Sequence, residues 1–314
     1  MEHPTKPQRS ILARIFLSPD EPRLRAGWRL LIQTILMGVI AMGFSIPLFL
    51  LADAFQFAID GLILNQVIEL FVISVSVYLA RRFLDRRAFV SLGLKLDRRA
   101  AFDVLAGTLI AGLMMGLVYL LEWSVGWLTF DGFAWQTQPL GNVLSGVALM
   151  LIVFIFVGWN EELLSRGYHL QTLSSGLNLT WGIILSSAVF GLLHLGNPNA
   201  TWVSTAGIFF AGVFLAFGYL RTRQLWLPIG LHIGWNFFEG VVFGFPVSGL
   251  TNMPRLILQT VNGPELVTGG AFGPEAGLVM LPAFIAGALA IWWYTSGRSV
   301  DQGSVDQEIR ELVS

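Results

Sequence analysis

Two adjacent glutamates are the first residues in this sequence whose type and spacing could do chemistry. They lie in the segment Asn160–Gly167, which reads Asn-Glu-Glu-Leu-Leu-Ser-Arg-Gly. Glu162 and Arg166 are four residues apart, so on a helix they share one face and can form an ion pair. Glu161 points about 100° away and has no opposite charge at i+3 or i+4. An unpaired carboxylate in apolar surroundings can act as a general base. The alternative is a helix end in water, where both carboxylates are solvated.

Two histidines downstream of this segment repeat one spacing. His194 follows Phe190 by four residues, and Asn236 follows His232 by four, so each pair shares a helix face. A single histidine in a membrane helix often only makes a hydrogen bond to a neighbouring helix. Two histidines on separate helices, together with Asn236 and Glu161, predict one shared site.

The elements that must hold these residues are membrane helices. Of the 314 residues, 54% are hydrophobic and only 12% are charged, and the mean hydropathy is +0.68. Soluble domains carry roughly twice that charged share, so the composition excludes an ordinary soluble enzyme, a disordered chain and a fibrous protein. We predict an all-α polytopic membrane protein, a bundle of about eight transmembrane helices of about 20 residues each. They are expected near residues 30–52, 62–80, 101–121, 142–165, 179–195, 203–221, 226–243 and 277–294.

The basic residues gather on one side of these spans. The segment 1–29, the connection 81–99, the sixth connection and the tail carry nearly all of them, whereas the opposite loops carry only Arg255. Because short loops rich in lysine and arginine stay in the cytoplasm, both termini are predicted there. We expect a basic segment 1–29, a membrane domain 30–294 and a tail 295–314, in a multi-pass protein of a bacterial plasma membrane.

Other residues narrow the possible functions. The chain has no cysteine, which excludes disulfides, thiolate metal sites and cysteine nucleophiles. The basic residues lie at helix ends, so no nucleic-acid partner is predicted. Glu69 and Glu239 lie inside spans and are interpreted as polar links between helices. The connection 244–276 is rich in glycine and proline and is either an ordered cap or a mobile lid.

The motifs Glu161-Glu162-x-x-x-Arg166, Phe190-x-x-x-His194 and His232-x-x-x-Asn236, on three hydrophobic spans, resemble the CPBP family. These are the CAAX protease and bacteriocin-processing enzymes, also called Abi, which are intramembrane proteases. The resemblance covers residues 140–245 in motif order, spacing and placement on the spans. It implies an eight-helix membrane endopeptidase that acts on a peptide or a membrane-associated protein within the lipid bilayer. Family members cleave prenylated proteins in eukaryotes, but no prenyl site is visible here, so a prenylated substrate is not predicted.

The resemblance also implies roles for individual residues. Glu161 would activate a water molecule with the help of His194, while His232 and Asn236 would polarise the scissile carbonyl. The remaining motif residues would support them structurally, namely Glu162, Arg166 and Phe190.

The family has been described both as metalloproteases and as metal-free glutamate peptidases. Zinc, if present, would be held by His194, His232 and Glu161, a two-histidine, one-carboxylate set. The His-Glu-x-x-His motif is absent. We favour a mechanism without a cofactor, because Asn236 is a poor zinc ligand and a good hydrogen-bond donor to an oxyanion.

Two other functions remain open. A proton-coupled transporter could use Glu161, His194 and His232 as a relay, although the sequence shows neither an inverted repeat nor matching broken helices. A non-catalytic membrane scaffold or immunity protein would tolerate replacement of all these residues. The oligomeric state is not predicted.

Depth in the membrane sets a condition on the shared site. Hydropathy places Glu161 near the cytoplasmic end of the fourth span and His194 near the outer end of the fifth, yet residues that share a water must share a depth. We therefore predict that the fourth helix continues past Arg166 to about Leu173. The fifth helix is expected to give way at Gly196-Asn197-Pro198, and His194 is expected to lie at that point.

Overall fold

A computed structural model describes residues 10–19, 21–54 and 61–298 of the chain. Residues 1–9 of the basic N-terminal segment and residues 299–314 of the tail lie outside these ranges.

Helices dominate the described part of the chain, which confirms the predicted all-α polytopic class. Every predicted span forms a helix. In chain order the helices are α1 Ile11–Phe16, α2 Ala26–Ala54, α3 Gly61–Leu79, α4 Arg98–Ser124, α5 Leu140–Glu162, α6 Leu170–Gly176, α7 Leu179–Leu193, α8 Trp202–Thr222, α9 Trp226–Asn236, α10 Glu265–Thr268 and α11 Met280–Thr295.

Six helices among the described residues are long and apolar enough to cross a membrane. The seventh and eighth predicted spans correspond to α9 with its extension and to α11, which are shorter. At 1.5 Å per residue, such helices fall short of the roughly 30 Å hydrocarbon layer. Six crossings are therefore supported, and the count of eight remains a prediction.

Three α-helices continue into π-helical turns, in which each backbone hydrogen bond joins residues five apart in the chain. These turns span Ala80–Leu84 after α3, Leu163–His169 after α5 and Phe237–Val242 after α9. Single π turns inside helices are rare and often occur at functional sites. The turn Leu163–His169 joins α5 to α6, so one helical rod runs from Leu140 to Gly176. This confirms the predicted extension past Arg166.

Helix α9 lies at the centre of the bundle, and its residues from Leu227 to Asn236 are all buried. Glycines let it approach α4 closely: a Cβ atom on Gly230 would lie 2.2 Å from the carbonyl oxygen of Val104. Thr108 of α4 donates a hydrogen bond to the carbonyl of Gly230 at 3.1 Å. Small residues at a helix crossing let the two backbones approach closely, which increases the packing contacts between membrane helices.

A two-stranded antiparallel sheet closes one end of the bundle. Strand β1, Leu128–Phe133, follows α4, and strand β2, Ile257–Val261, lies in the connection 244–276. Their register pairs Leu128 with Val261 and Phe133 with Ile257. Short 3₁₀ turns complete the irregular segments, at Phe89–Leu92, Ala134–Gln136, His194–Gly196 and Pro274–Ala276. The connection 244–276, hereafter the cap, is thus an ordered element.

A buried charge cluster lies at the opposite end. Arg29 and Arg81 both bind Asp85, and Arg29 also donates to Ser175 at 2.7 Å, which joins α2, α3 and α6. Arg23 lies 3.7 Å from the same carboxylate, and burial lowers its pKa. These arginines of the basic connections are therefore structural as well as charged.

Candidate active site

Glu161 and the two histidines of the motifs meet inside the bundle. Nε2 of His194 and Nε2 of His232 each lie 3.7 Å from Oε2 of Glu161. That oxygen is buried and makes no hydrogen bond to a described residue. Polar atoms this far apart can be bridged by one water. The carboxylate is therefore a free acceptor that faces two imidazole rings.

The depth condition is met by the helix ends. His194 is the first residue of the 3₁₀ turn that follows α7, as predicted. Glu161 precedes the end of α6 at Gly176 by as many residues as His194 follows the start of α7 at Leu179. Because α6 and α7 are neighbours that run in opposite directions, the two side chains reach a common depth.

Glu162 lies beneath this centre and is fully buried. Its Oε1 accepts a hydrogen bond from Nη1 of Arg166 at 2.8 Å, which is the predicted i,i+4 pair. The same oxygen lies 2.8 Å from Nδ1 of His232. Arg166 also donates to the carbonyl of Gly212 in α8 at 3.1 Å. The Glu162–Arg166 pair thus joins α5 to α8 and α9, and its carboxylate sets the orientation of a site histidine.

Phe190 packs between Arg166 and the two site histidines, and its backbone carbonyl orients the imidazole ring of His194. The guanidinium of Arg166 stacks over its ring at 4.4 Å. The ring also meets the imidazoles of His194 and His232 edge to face, at 4.8 and 6.2 Å. Nδ1 of His194 donates to the Phe190 carbonyl at 2.8 Å, so Nε2 turns toward Glu161. Phe190 therefore supports the site through both its ring and its backbone.

Two asparagines complete the surroundings. Asn236 is buried one turn after His232 on α9, and its amide makes no hydrogen bond to another described residue. Asn160 is also buried, and neither its amide nitrogen nor its amide oxygen has a described partner. Asn160 was not singled out from the sequence, although a buried amide in an apolar helix is itself a signal.

Glu69 and Glu239, which were interpreted as polar links between helices, make no hydrogen bond to another helix among the described residues. Glu69 accepts hydrogen bonds from Asn65 at 2.9 Å and Gln66 at 3.1 Å, which both belong to its own helix α3. Glu239 is fully buried, and neither carboxylate oxygen has a hydrogen-bond partner among the described residues. The Glu69 carboxylate accepts its hydrogen bonds from side chains three and four residues away on the same helix, as this spacing allows.

The residue types at the centre, two histidines and a carboxylate, suit zinc. Within the described ranges no three His, Asp or Glu side chains are placed to hold a metal ion. Zinc ligands lie about 2.0–2.2 Å from the ion. The choice between a metal and a metal-free centre therefore stays a prediction.

The fold and the site define a class, namely polytopic α-helical membrane proteins with polar residues that converge inside the bundle. Residues 143–238 match the family described as type II CAAX prenyl endopeptidase Rce1-like, which confirms the resemblance drawn from the motifs. A relative named "Putative membrane peptidase YdiL", from Bacillus subtilis (strain 168), is 28% identical over 169 residues. The alignment covers 54% of this chain and 64% of that relative.

Proposed function

We propose that this protein is an intramembrane endopeptidase in which Glu161 activates the hydrolytic water. The observation that carries the proposal is the buried, unpartnered Oε2 of Glu161 at 3.7 Å from both site imidazoles. The family match and the name of the relative support the same class of reaction. The substrate class is a peptide or a membrane-associated protein.

In the first step a water between Glu161 and His194 attacks the scissile carbonyl. Glu161 takes one proton of the water, and the water oxygen bonds to the carbonyl carbon. His194 uses its Nδ1–H for the Phe190 carbonyl, so its Nε2 lone pair accepts the second water hydrogen. Glu161 keeps 31% of its side chain exposed, so the residue is not sealed inside the bundle.

The negative oxygen of the tetrahedral intermediate requires hydrogen-bond donors. The amide of Asn236 supplies one. Nε2 of His232 supplies another when the ring is an imidazolium, because Nδ1 is already committed to Glu162. The two neighbouring glutamates balance that ring's positive charge. In the last step Glu161 passes its proton to the amide nitrogen and the C–N bond breaks. A carboxylic acid and an amine leave, and the acid then gives its proton to the amine in water.

Every step uses groups of the chain, and we propose a metal-free mechanism. We further propose that both termini face the cytoplasm, since the basic connections gather at that end.

The test is cleavage of a peptide library by the purified protein in lipid. Glu161→Gln should abolish cleavage, whereas Glu265→Gln, which changes an exposed glutamate of the cap, should not. The protein can also be reconstituted into liposomes that are loaded with a pH-sensitive dye. Proton flux without cleavage would indicate a transporter and not a peptidase. The absence of both signals would favour a scaffold.

A further inference from the structure

A groove of about 500 Å³ runs between α4 and α11, at the end where α4 begins and α11 finishes. We name it the α4–α11 groove. It lies apart from the proposed active site, and none of the motif residues line it. Its lining includes Arg99, Phe102, Leu105, Leu109, Tyr294 and Arg298.

The wall of the groove is apolar and open to the bilayer. Phe102, Leu105 and Leu109 are each about half exposed, and their spacing places them on one stripe of α4. A groove between two membrane helices is filled by lipid chains, because exposed apolar side chains have no other solvent there. An extended acyl chain fits this stripe.

The polar end of the groove carries positive charge. Arg99 is exposed and makes no hydrogen bond or ion pair with another described residue. Arg298 is held in place by Asp103 at 3.1 Å and by the ring of Tyr294 at 4.5 Å. The hydrogen bonds that Arg298 donates to the carboxylate of Asp103 raise the pKa of Arg298, so it stays charged.

Two carboxylates offset part of this charge. Asp103 pairs with Arg298 and also accepts from the hydroxyl of Tyr294, and Asp97 caps the start of α4. Arg98, stacked over Phe102 at 5.6 Å, adds a third cation beside the groove. Among the described residues the three arginines therefore exceed the two aspartates, and no described carboxylate pairs with Arg99.

We propose that the α4–α11 groove binds one anionic phospholipid, with its phosphate between Arg99 and Arg298 and one acyl chain along Phe102, Leu105 and Leu109. Basic pockets between membrane helices bind anionic headgroups because their cations attract the phosphate. The site is independent of peptide hydrolysis.

The test compares phosphatidylglycerol and phosphatidylcholine with identical acyl chains, added to the purified protein in detergent. Native mass spectrometry should show one retained phosphatidylglycerol, and the melting temperature should rise more with it than with phosphatidylcholine. Arg99→Glu should remove both effects. Arg82→Gln, a change at an exposed arginine outside the groove, should leave them intact. The proposal fails if the two lipids are retained equally and raise the melting temperature equally. It also fails if Arg99→Glu still shows both effects, or if inorganic phosphate raises the melting temperature as much as phosphatidylglycerol does.

A separate network ties the cap to the site. Glu275 of the cap is buried, and its Oε1 accepts from Nε1 of Trp235 at 2.9 Å. Its Oε2 accepts from the backbone nitrogen of Ser248 at 2.9 Å and from the hydroxyl at 2.7 Å. Asn197 then donates to the carbonyl of Ser248 at 3.1 Å.

The two ends of this network have matching positions. Asn197 lies three residues after His194, and Trp235 lies three residues after His232. Each end therefore sits about one turn from a site histidine. Glu275 also packs tightly against α8, since a Cβ on Gly207 would lie 1.9 Å from its carbonyl oxygen. The carboxylate is thus a rigid bridge between the two histidine-bearing segments.

We infer that Glu275 is a positioning residue, which holds His194 and His232 at their common distance from Glu161 through Ser248 and Trp235. This inference rests on the proposed peptidase function. Burial raises the pKa of Glu275, while hydrogen bonds from Ser248 and Trp235 act in the opposite direction. Glu239 lies in electrostatic contact with it from α9's extension, and His194 does so from the site.

Glu275→Gln places an amide against donors that need an acceptor, so one arm of the bridge must break. We expect kcat to fall about tenfold per folded molecule with KM nearly unchanged, because the binding surface is untouched. Trp235→Phe removes only the indole donor, and the double variant should be no slower than Glu275→Gln alone. Glu265→Gln serves as the control within the cap.

Additive losses in the double variant, or an unchanged kcat in Glu275→Gln despite a lower melting temperature, would reduce Glu275 to a structural role. If the unaltered protein cleaves no peptide, the proposed function itself fails, which is a different result.

Discussion

Nδ1 of His232 lies 2.8 Å from Oε1 of Glu162, the same oxygen that binds Arg166. Glu162 therefore does more than pair with its helical neighbour, because it also orients an imidazole on another helix. Glu161, one residue earlier, faces the open centre and has no such partner. Two adjacent residues of identical chemistry thus occupy opposite situations, and their variants should fail in different ways.

Glu161→Gln should leave expression and melting nearly intact, because no described hydrogen bond depends on Oε2. Peptide cleavage should fall by about 10²-fold or more, the scale for loss of a general base. Thermal melting in detergent, measured beside cleavage, separates the two effects. Normal cleavage by this variant would show that another group is the base.

Glu162→Gln should lower yield and melting temperature. Removing one partner of a buried ion pair leaves the Arg166 charge uncompensated, at a cost of about 3–5 kcal/mol. The swapped variant Glu162→Arg/Arg166→Glu tests the structure further: it could restore a pair but not the acceptor for His232, so it should regain stability without regaining activity. A Glu162→Gln protein that melts like the parent would contradict this assignment.

Asn236→Ala should lower kcat by about 10²- to 10³-fold with a small change in KM, as expected when one oxyanion donor is removed. The amide has no described structural partner, so melting should change little. Asn160→Ala is the matched comparison, since it removes another buried and unpartnered amide. Equal losses of kcat in both variants would mean that Asn236 has no special role.

Metal content can be measured directly. Active protein purified without added metal should contain far less than one zinc per chain, and chelators should leave cleavage unchanged. Stoichiometric zinc, with activity lost to chelator and restored by zinc, would instead assign His194, His232 and Glu161 as ligands.

Membrane orientation can be read from single cysteines, because the natural chain has none. Leu96→Cys, in the basic connection, should react with an impermeant maleimide only from the cytoplasmic side. Leu266→Cys, in the cap, should react only from the opposite side. Both parent residues are exposed, so accessibility does not limit the comparison. The reverse pattern would invert the predicted topology.

Much of the helical arrangement was predictable, because apolar length and motif spacing are local properties. The extension through Arg166 followed from the requirement that Glu161 and His194 share a depth, and the structure confirms it. The tie between Glu162 and His232 was not predictable, since it depends on how α9 crosses α5. Sequence spacing reports which residues share a helix face, but not which helix that face meets.

Three features gave no usable sequence signal. Strands β1 and β2 are short, and β1 shows no regular alternation of buried and exposed residues. The π turn at Leu163–His169 depends on hydrogen-bond register, which side-chain patterns do not encode. Glu275 lies in a loop, where a charged residue would ordinarily be solvated, and only the packing of the cap buries it.

The pairing of β1 with β2 has a consequence for how the chain is made. Leu128 emerges during synthesis long before its partner Val261, and α5 to α9 must all enter the membrane between them. Until then β1 presents unpaired backbone groups at the membrane surface. Closure of the sheet is therefore a late event in biogenesis. A truncated or stalled chain that lacks the cap would carry an open strand edge, at which another chain can pair.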